Sequence, residues 1–176
     1  MEQEVPTEHL HEAINEGAEH AGGGWITAVA LSTAVIAVLA AISSLLSGHH
    51  ENEALIDQIK ASDQWSYYQA KGVKYEVNNA YVKTMAANKT PVSEEESGKL
   101  ERYKSEQEKI KEVAEEKEKA SEEHLVRHMK LSRAVTVFQV AIAIAAIAVL
   151  SRRKLLWFIS LGGGAIGLYF LALGVM

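Results

Sequence analysis

The 176-residue chain contains no cysteine, which removes disulfides, thiolate metal sites and cysteine nucleophiles together. Proline is nearly absent too, with Pro6 and Pro91 the only two, so a long helix meets few forced stops. Charge is missing locally rather than globally. Residues 25–46 and 155–176 carry none, and residues 131–150 carry one, Arg133 near the entrance. The first 24 residues hold six glutamates and no Lys or Arg, the reverse of a signal-peptide n-region, so no cleavable leader is expected. A formal net charge of -5 without a clustered basic face excludes a nucleic-acid partner. Nothing in the sequence resembles a nucleophile–base pair. The triple glycines Gly22–Gly24 and Gly162–Gly164 lack the strand-to-helix setting and the lysine of a phosphate loop. The reading is therefore non-enzymatic, with no cofactor expected.

What is present is block segregation. Each of the three poor-in-charge stretches is about 20 residues long, enough to cross a hydrocarbon core. Trp25 opens the first, Arg133 is placed to snorkel at the second, and Trp157 and Phe158 open the third. Thr27, Ala30, Ala34, Ala37, Ala41 and Ser44 form a small-residue seam at steps of three and four, a candidate interface between copies. Gly163 and Gly167 form a GxxxG pair, with Gly164 and Gly174 nearby. With only Ser151, Arg152, Arg153 and Lys154 between them, spans two and three must form a close hairpin.

Between spans one and two the chain is charged and helix-friendly. Its single break is Asn88 to Ser93, where Pro91 stops one helix and Ser93, followed by Glu94, Glu95 and Glu96, caps the next. The expectation is a helix over 49–88, another over 93–130, and antiparallel pairing between them. Ala61, Trp65, Tyr68, Gly72, Tyr75, Asn79 and Val82 keep heptad spacing on the first; Leu100, Tyr103, Gln107, Ile110, Ala114, Lys117, Ser121, His124 and His128 keep it on the second. So polar a seam is marginal alone, and pairing of copies through Leu55, Ile59, Val73 and Val77 would offset that. Trp65, Tyr68 and Tyr75 are read as core or copy-to-copy contacts rather than a ligand platform. The fold class expected is thus all-α: three transmembrane helices with a long antiparallel, coiled-coil-like two-helix hairpin inserted between spans one and two, after an acidic tail (1–24) in which His9 to His20 could form a short helix.

Seven histidines flank the spans. His124 and His128 share a helix face at the spacing metal ligands use, and antiparallel pairing would bring His49 and His50 level with them. Two functions suit this group, binding of Zn2+ or another transition metal and sensing of pH; the bland reading is that histidine suits a headgroup region. The Glu/Lys run from Glu106 to Glu123 reads as a solvated face. Charge in the short turn 151–154 places it and the N-terminus in the cytoplasm and the hairpin outside, although Arg127, Lys130 and Arg133 pull the other way.

Three segments carry a family resemblance: Ala41-Ile-Ser-Ser-Leu-Leu46, Asp63-Gln-Trp-Ser-Tyr-Tyr-Gln-Ala-Lys71 and Leu150-Ser-Arg-Arg-Lys-Leu-Leu-Trp-Phe158. With the His- and Glu-containing tail they resemble a bacterial membrane family described only as domain of unknown function 4337. The resemblance implies the three-span layout and supplies no activity, cofactor or catalytic residue. The function expected is a homo-oligomeric inner-membrane scaffold or docking protein, with the lipid bilayer, further copies and other membrane proteins as partners. An oligomeric channel lined by span one is the alternative from another class. It is constrained by the absence of any ionisable residue at mid-span, where pumps and proton-coupled carriers need one.

Overall fold

The structure is a computed structural model and describes residues 24–176. The acidic tail, with the helix expected over His9 to His20, lies outside the described residues. Three helices follow: α1, Gly24–Ala87; α2, Glu94–Ser151; and α3, Lys154–Val175. Each contains a stretch long and apolar enough to cross a membrane. The first span, read over 25–46, and the helix expected over 49–88 are one continuous element, α1. Residues 46–52 carry no proline, and one helix-interior glycine costs only about 1 kcal/mol. The expected helix over 93–130 and the second span are likewise a single element.

Both forced stops close the same way. At the end of α1 the Lys89 N–H donates to the Ala86 carbonyl at 3.0 Å and the Thr90 N–H to that of Met85 at 2.9 Å. At the end of α2 Arg152 donates to Val149 at 3.2 Å and Arg153 to Ala148 at 3.1 Å. These are paired Schellman bonds, which require a left-handed residue at the turn. Lys89 (φ 55°) and Arg152 (φ 51°) supply it in place of glycine. Ser93 caps α2 as expected, its Oγ accepting the Glu96 N–H at 3.2 Å. The Glu96 carboxylate receives Lys99 Nζ at 2.7 Å.

The helices belong to two compact units, residues 24–51 with 125–176, and Asn52–His124. In the first, α1 buries Ile26, Val29, Thr33, Ile36, Ala40, Ser43 and Ser47, a stripe at steps of three and four. That stripe lies one residue around from the small seam. Ala30 and Ala37 pack at its edge against the core clusters, Ala34 is half-buried and Ala41 exposed. The α2–α3 contact is closer than ordinary side chains permit. A Cβ on Gly167 would sit 2.5 Å from Phe138 Cε1, one on Gly174 2.6 Å from Leu131 Cγ, and one on Gly163 3.2 Å from Ala141 Cβ. Falling partner numbers on rising α3 positions make this pair antiparallel, the close hairpin expected of spans two and three. Trp25 and Trp157 both pack on the Val29, Ala145 and Ala146 cluster. Polar groups inside are satisfied: Thr33 Oγ1 donates to the Val29 carbonyl and Ser43 Oγ to that of Leu39 on their own helix, and Ser160 Oγ to that of Ala141 on the facing one. Such pairing is what a low-dielectric interior demands.

The second unit is polar. Ser121 Oγ donates to the Ala54 carbonyl, Trp65 Nε1 to Glu118, Gln107 Nε2 to the Tyr68 carbonyl and Asn78 Nδ2 to that of Glu96. Buried Asp57 lies 3.5 Å from Lys60 Nζ and 3.7 Å from Lys117 Nζ. Lys71 pairs with Glu106 and lies over the rings of Tyr67 and Tyr103. The Lys71 hydrogen bond holds the Glu106 carboxyl below its ordinary range and, reciprocally, raises the Lys71 ammonium. Since the folded Glu106 value is the lower one, its contribution is present above the unfolded carboxylate value and is lost as pH falls through the folded one.

Gly167→Ala is expected to destabilise the protein by about 1–3 kcal/mol through overpacking on Phe138. Adding Phe138→Leu to the same chain should recover part of that loss in detergent thermal unfolding. Equal melting temperatures for native protein and Gly167→Ala would remove the close-contact argument.

Candidate functional site

The chemistry-bearing residues of the first unit collect where the apolar part of α1 turns polar. Ser44, Ser47, Gly48 and Glu51 on α1, with His128, Ser132 and Val135 on α2, line a cavity of about 100 Å³. The α1 residues come to one side because 44, 47, 48 and 51 fall at three- and four-residue intervals on one face. On α2, 128, 132 and 135 do the same.

His128 and Ser47 are locked together. His128 Nδ1 lies 3.0 Å from the Ser47 carbonyl oxygen and 3.1 Å from Ser47 Oγ. The carbonyl can only accept, so Nδ1 carries the hydrogen. Ser47 Oγ donates in turn to the His128 carbonyl at 3.3 Å. In the neutral imidazole this clasp places the hydrogen on Nδ1 and the lone pair on Nε2.

Of the other histidines, His49 is exposed and His50 half-buried, with ring centroids 5.4 Å apart. His124 is half-buried and falls in the other unit. Among the described residues no three His, Asp or Glu side chains are grouped to hold a metal ion. The partner that His128 does have, a serine on the facing helix, carried no signal in histidine spacing.

The candidate interface residues sort differently. Trp65 and Tyr68 are half-buried, with ring centroids 5.5 Å apart in an edge-to-face pair, and Trp65 donates to Glu118 at 2.8 Å. Tyr75 is half-buried. What α1 leaves open in the second unit is another face. Leu55, Ile59, Val73 and Val77 are 57%, 61%, 63% and 65% exposed, and Ser62, Ser66 and Ala70 between them are exposed as well. This stripe contains no charge in a segment otherwise dense with Glu and Lys. A groove of about 590 Å³ runs beside it, lined among others by Val73, Val77, Tyr81 and Tyr103.

A family model described as Domain of unknown function (DUF4337) matches residues 25–176. Neither a search of curated proteins nor one of solved structures finds a match to the chain.

Replacing Ser47 by alanine removes the Oγ bond to the His128 carbonyl and is expected to cost about 1 kcal/mol; His128→Ala removes the Nδ1–H bond to the Ser47 carbonyl together with the packing of the ring, and is expected to cost more, about 1–3 kcal/mol. Detergent thermal unfolding of the three proteins checks this ranking; coincident curves would show that the clasp contributes nothing.

Proposed function

Because the chain belongs to the family Domain of unknown function (DUF4337), whose description carries no activity, we propose from geometry and chemistry that it is a non-enzymatic, homo-oligomeric membrane scaffold. In this reading the three apolar helices hold the chain in a cell membrane. Residues 52–124 form an antiparallel helical hairpin outside the bilayer, on which copies pair and other membrane proteins dock. The order of the cross-helix bonds, Ala54 with Ser121, Trp65 with Glu118 and Asn78 with Glu96, supports the antiparallel pairing. Charge in Arg152, Arg153 and Lys154 supports a cytoplasmic turn and an extracytoplasmic hairpin.

The observation that carries the proposal is the uncharged stripe from Leu55 to Val77. In lipid an exposed leucine is unremarkable. In a segment this charged, two pairs of large aliphatic residues, Leu55 with Ile59 and Val73 with Val77, joined on one face by Ser62, Ser66 and Ala70, expose surface that association buries, at about 25 cal/mol per Å² of apolar area. Trp65 and Tyr68 are already engaged within the chain, so the stripe is the face left for a second copy.

Light scattering on the detergent-solubilised particle, corrected for bound detergent, is expected to give a defined multimer. Val73→Lys combined with Val77→Lys should reduce it to a single chain. The intramembrane seam is checked alongside by Ala34→Leu with Ala37→Leu. A monomeric native particle defeats the proposal, and a mass unchanged in the lysine variant defeats the stripe.

The His128 tautomer favours a second reading, a metal- or pH-responsive sensor. His128 and Glu51 both line one small polar cavity. Calorimetric titration with Zn2+ should then show saturable binding that His128→Ala abolishes; heat that is the same in both proteins would end this reading.

A further inference from the structure

A second cavity, in the first unit, is almost wholly apolar and lies between α1 and α3. Leu31, Val35 and Leu39 form one wall and Leu161, Ala165 and Leu168 the other of an open groove of about 580 Å³. Its floor is tight: a Cβ on Gly164 would lie 3.1 Å from Ile36 Cδ1. The lining hydroxyl has its hydrogen engaged. Ser32 Oγ donates to the Val29 carbonyl at 2.9 Å and accepts Trp157 Nε1–H at 3.1 Å. A polar ligand finds no partner in these walls, whereas a hydrocarbon chain needs none.

One mouth of the groove is cationic. Lys154 precedes Leu161 by seven residues, two helical turns, and therefore sits on the same face of α3 about 10 Å along the axis. Arg152, Arg153 and Lys154 are all exposed. Trp157, one turn from Lys154, packs at the level of Trp25, as aromatic side chains do at a membrane boundary.

We infer that this groove binds an anionic phospholipid, with an acyl chain against Leu31, Val35, Leu161 and Leu168 and the phosphate at Arg153 and Lys154. Charge decides between lipid and a second copy. Copies in one membrane insert the same way, so pairing through this groove would bring two triply basic turns together at one depth. A phosphate neutralises them instead. The inference rests on the membrane half of the proposed function and not on its oligomeric half.

Native mass spectrometry of the full chain, delipidated in detergent and given equal phosphatidylglycerol and phosphatidylcholine of matched acyl chains, separates these outcomes. Phosphatidylglycerol adducts should dominate, and Lys154→Gln or Arg153→Gln should each lower the preference about fivefold, the effect of one cation near a membrane surface. Ala165→Phe, at an exposed position filling the groove, should remove the retained lipid while leaving the basic turn intact. Equal retention of the two lipids, or a preference unmoved by both glutamine variants, overturns the inference. So does an Ala165→Phe protein whose chain number falls while its lipid stays. The same spectra count chains, so a lone chain retaining phosphatidylglycerol refutes the oligomer and keeps the lipid site.

Discussion

Helix α3 can lie against α2 only because side chains are missing at Gly163, Gly167 and Gly174, where Ala141, Phe138 and Leu131 take the space a Cβ would need. Phe138 and Leu131 are both fully buried, and Phe138 belongs to the cluster that includes Ile36 and Ala40 of α1. One close approach therefore organises all three helices of the apolar unit. In lipid, where hydrophobic drive between helices is absent, dispersion at such contacts does the holding, and it falls steeply with distance.

The two units solve the polar-group problem in opposite ways. In the apolar unit most hydroxyls fold back onto carbonyls of their own helix, as Thr33 and Ser43 do, so little polarity crosses between helices. The exceptions, Ser160 to Ala141, Trp157 to Ser32 and the Ser47–His128 clasp, are thereby specific markers of register. In the charged unit cross-helix polar bonds recur along the pair, and even the buried carboxylate of Asp57 is flanked by two lysines. Such bonds specify alignment better than they stabilise it.

How much of this was legible in the sequence varies with the physics involved. Stops were plain because Pro91 and Ser93 act locally, and so was the hairpin of spans two and three, because four residues allow no other path. Every residue of the expected series from Leu100 to His128 is buried or half-buried, since charged neighbours left only one face for the interior. The inward face of span one was not legible. In a stretch apolar all round, Ala30, Ala34 and Ala37 advertise close packing as loudly as Val29, Thr33 and Ile36, and nothing polar breaks the tie. The continuity of α1 through Gly48 was hidden by a glycine whose cost its neighbours absorb. The Ser47–His128 clasp depends on a backbone carbonyl, which no side-chain pattern encodes.

Arg152 occupies a left-handed position that glycine would fill without strain, and an arginine there costs on the order of 1 kcal/mol. A turn chosen for fold stability alone would carry glycine. Retaining a guanidinium instead trades folding energy for a charge that resists passage through hydrocarbon. In the proposed membrane setting that charge would be a topological latch: inverting an inserted hairpin of α2 and α3 would drag Arg152 and its two basic neighbours across the bilayer.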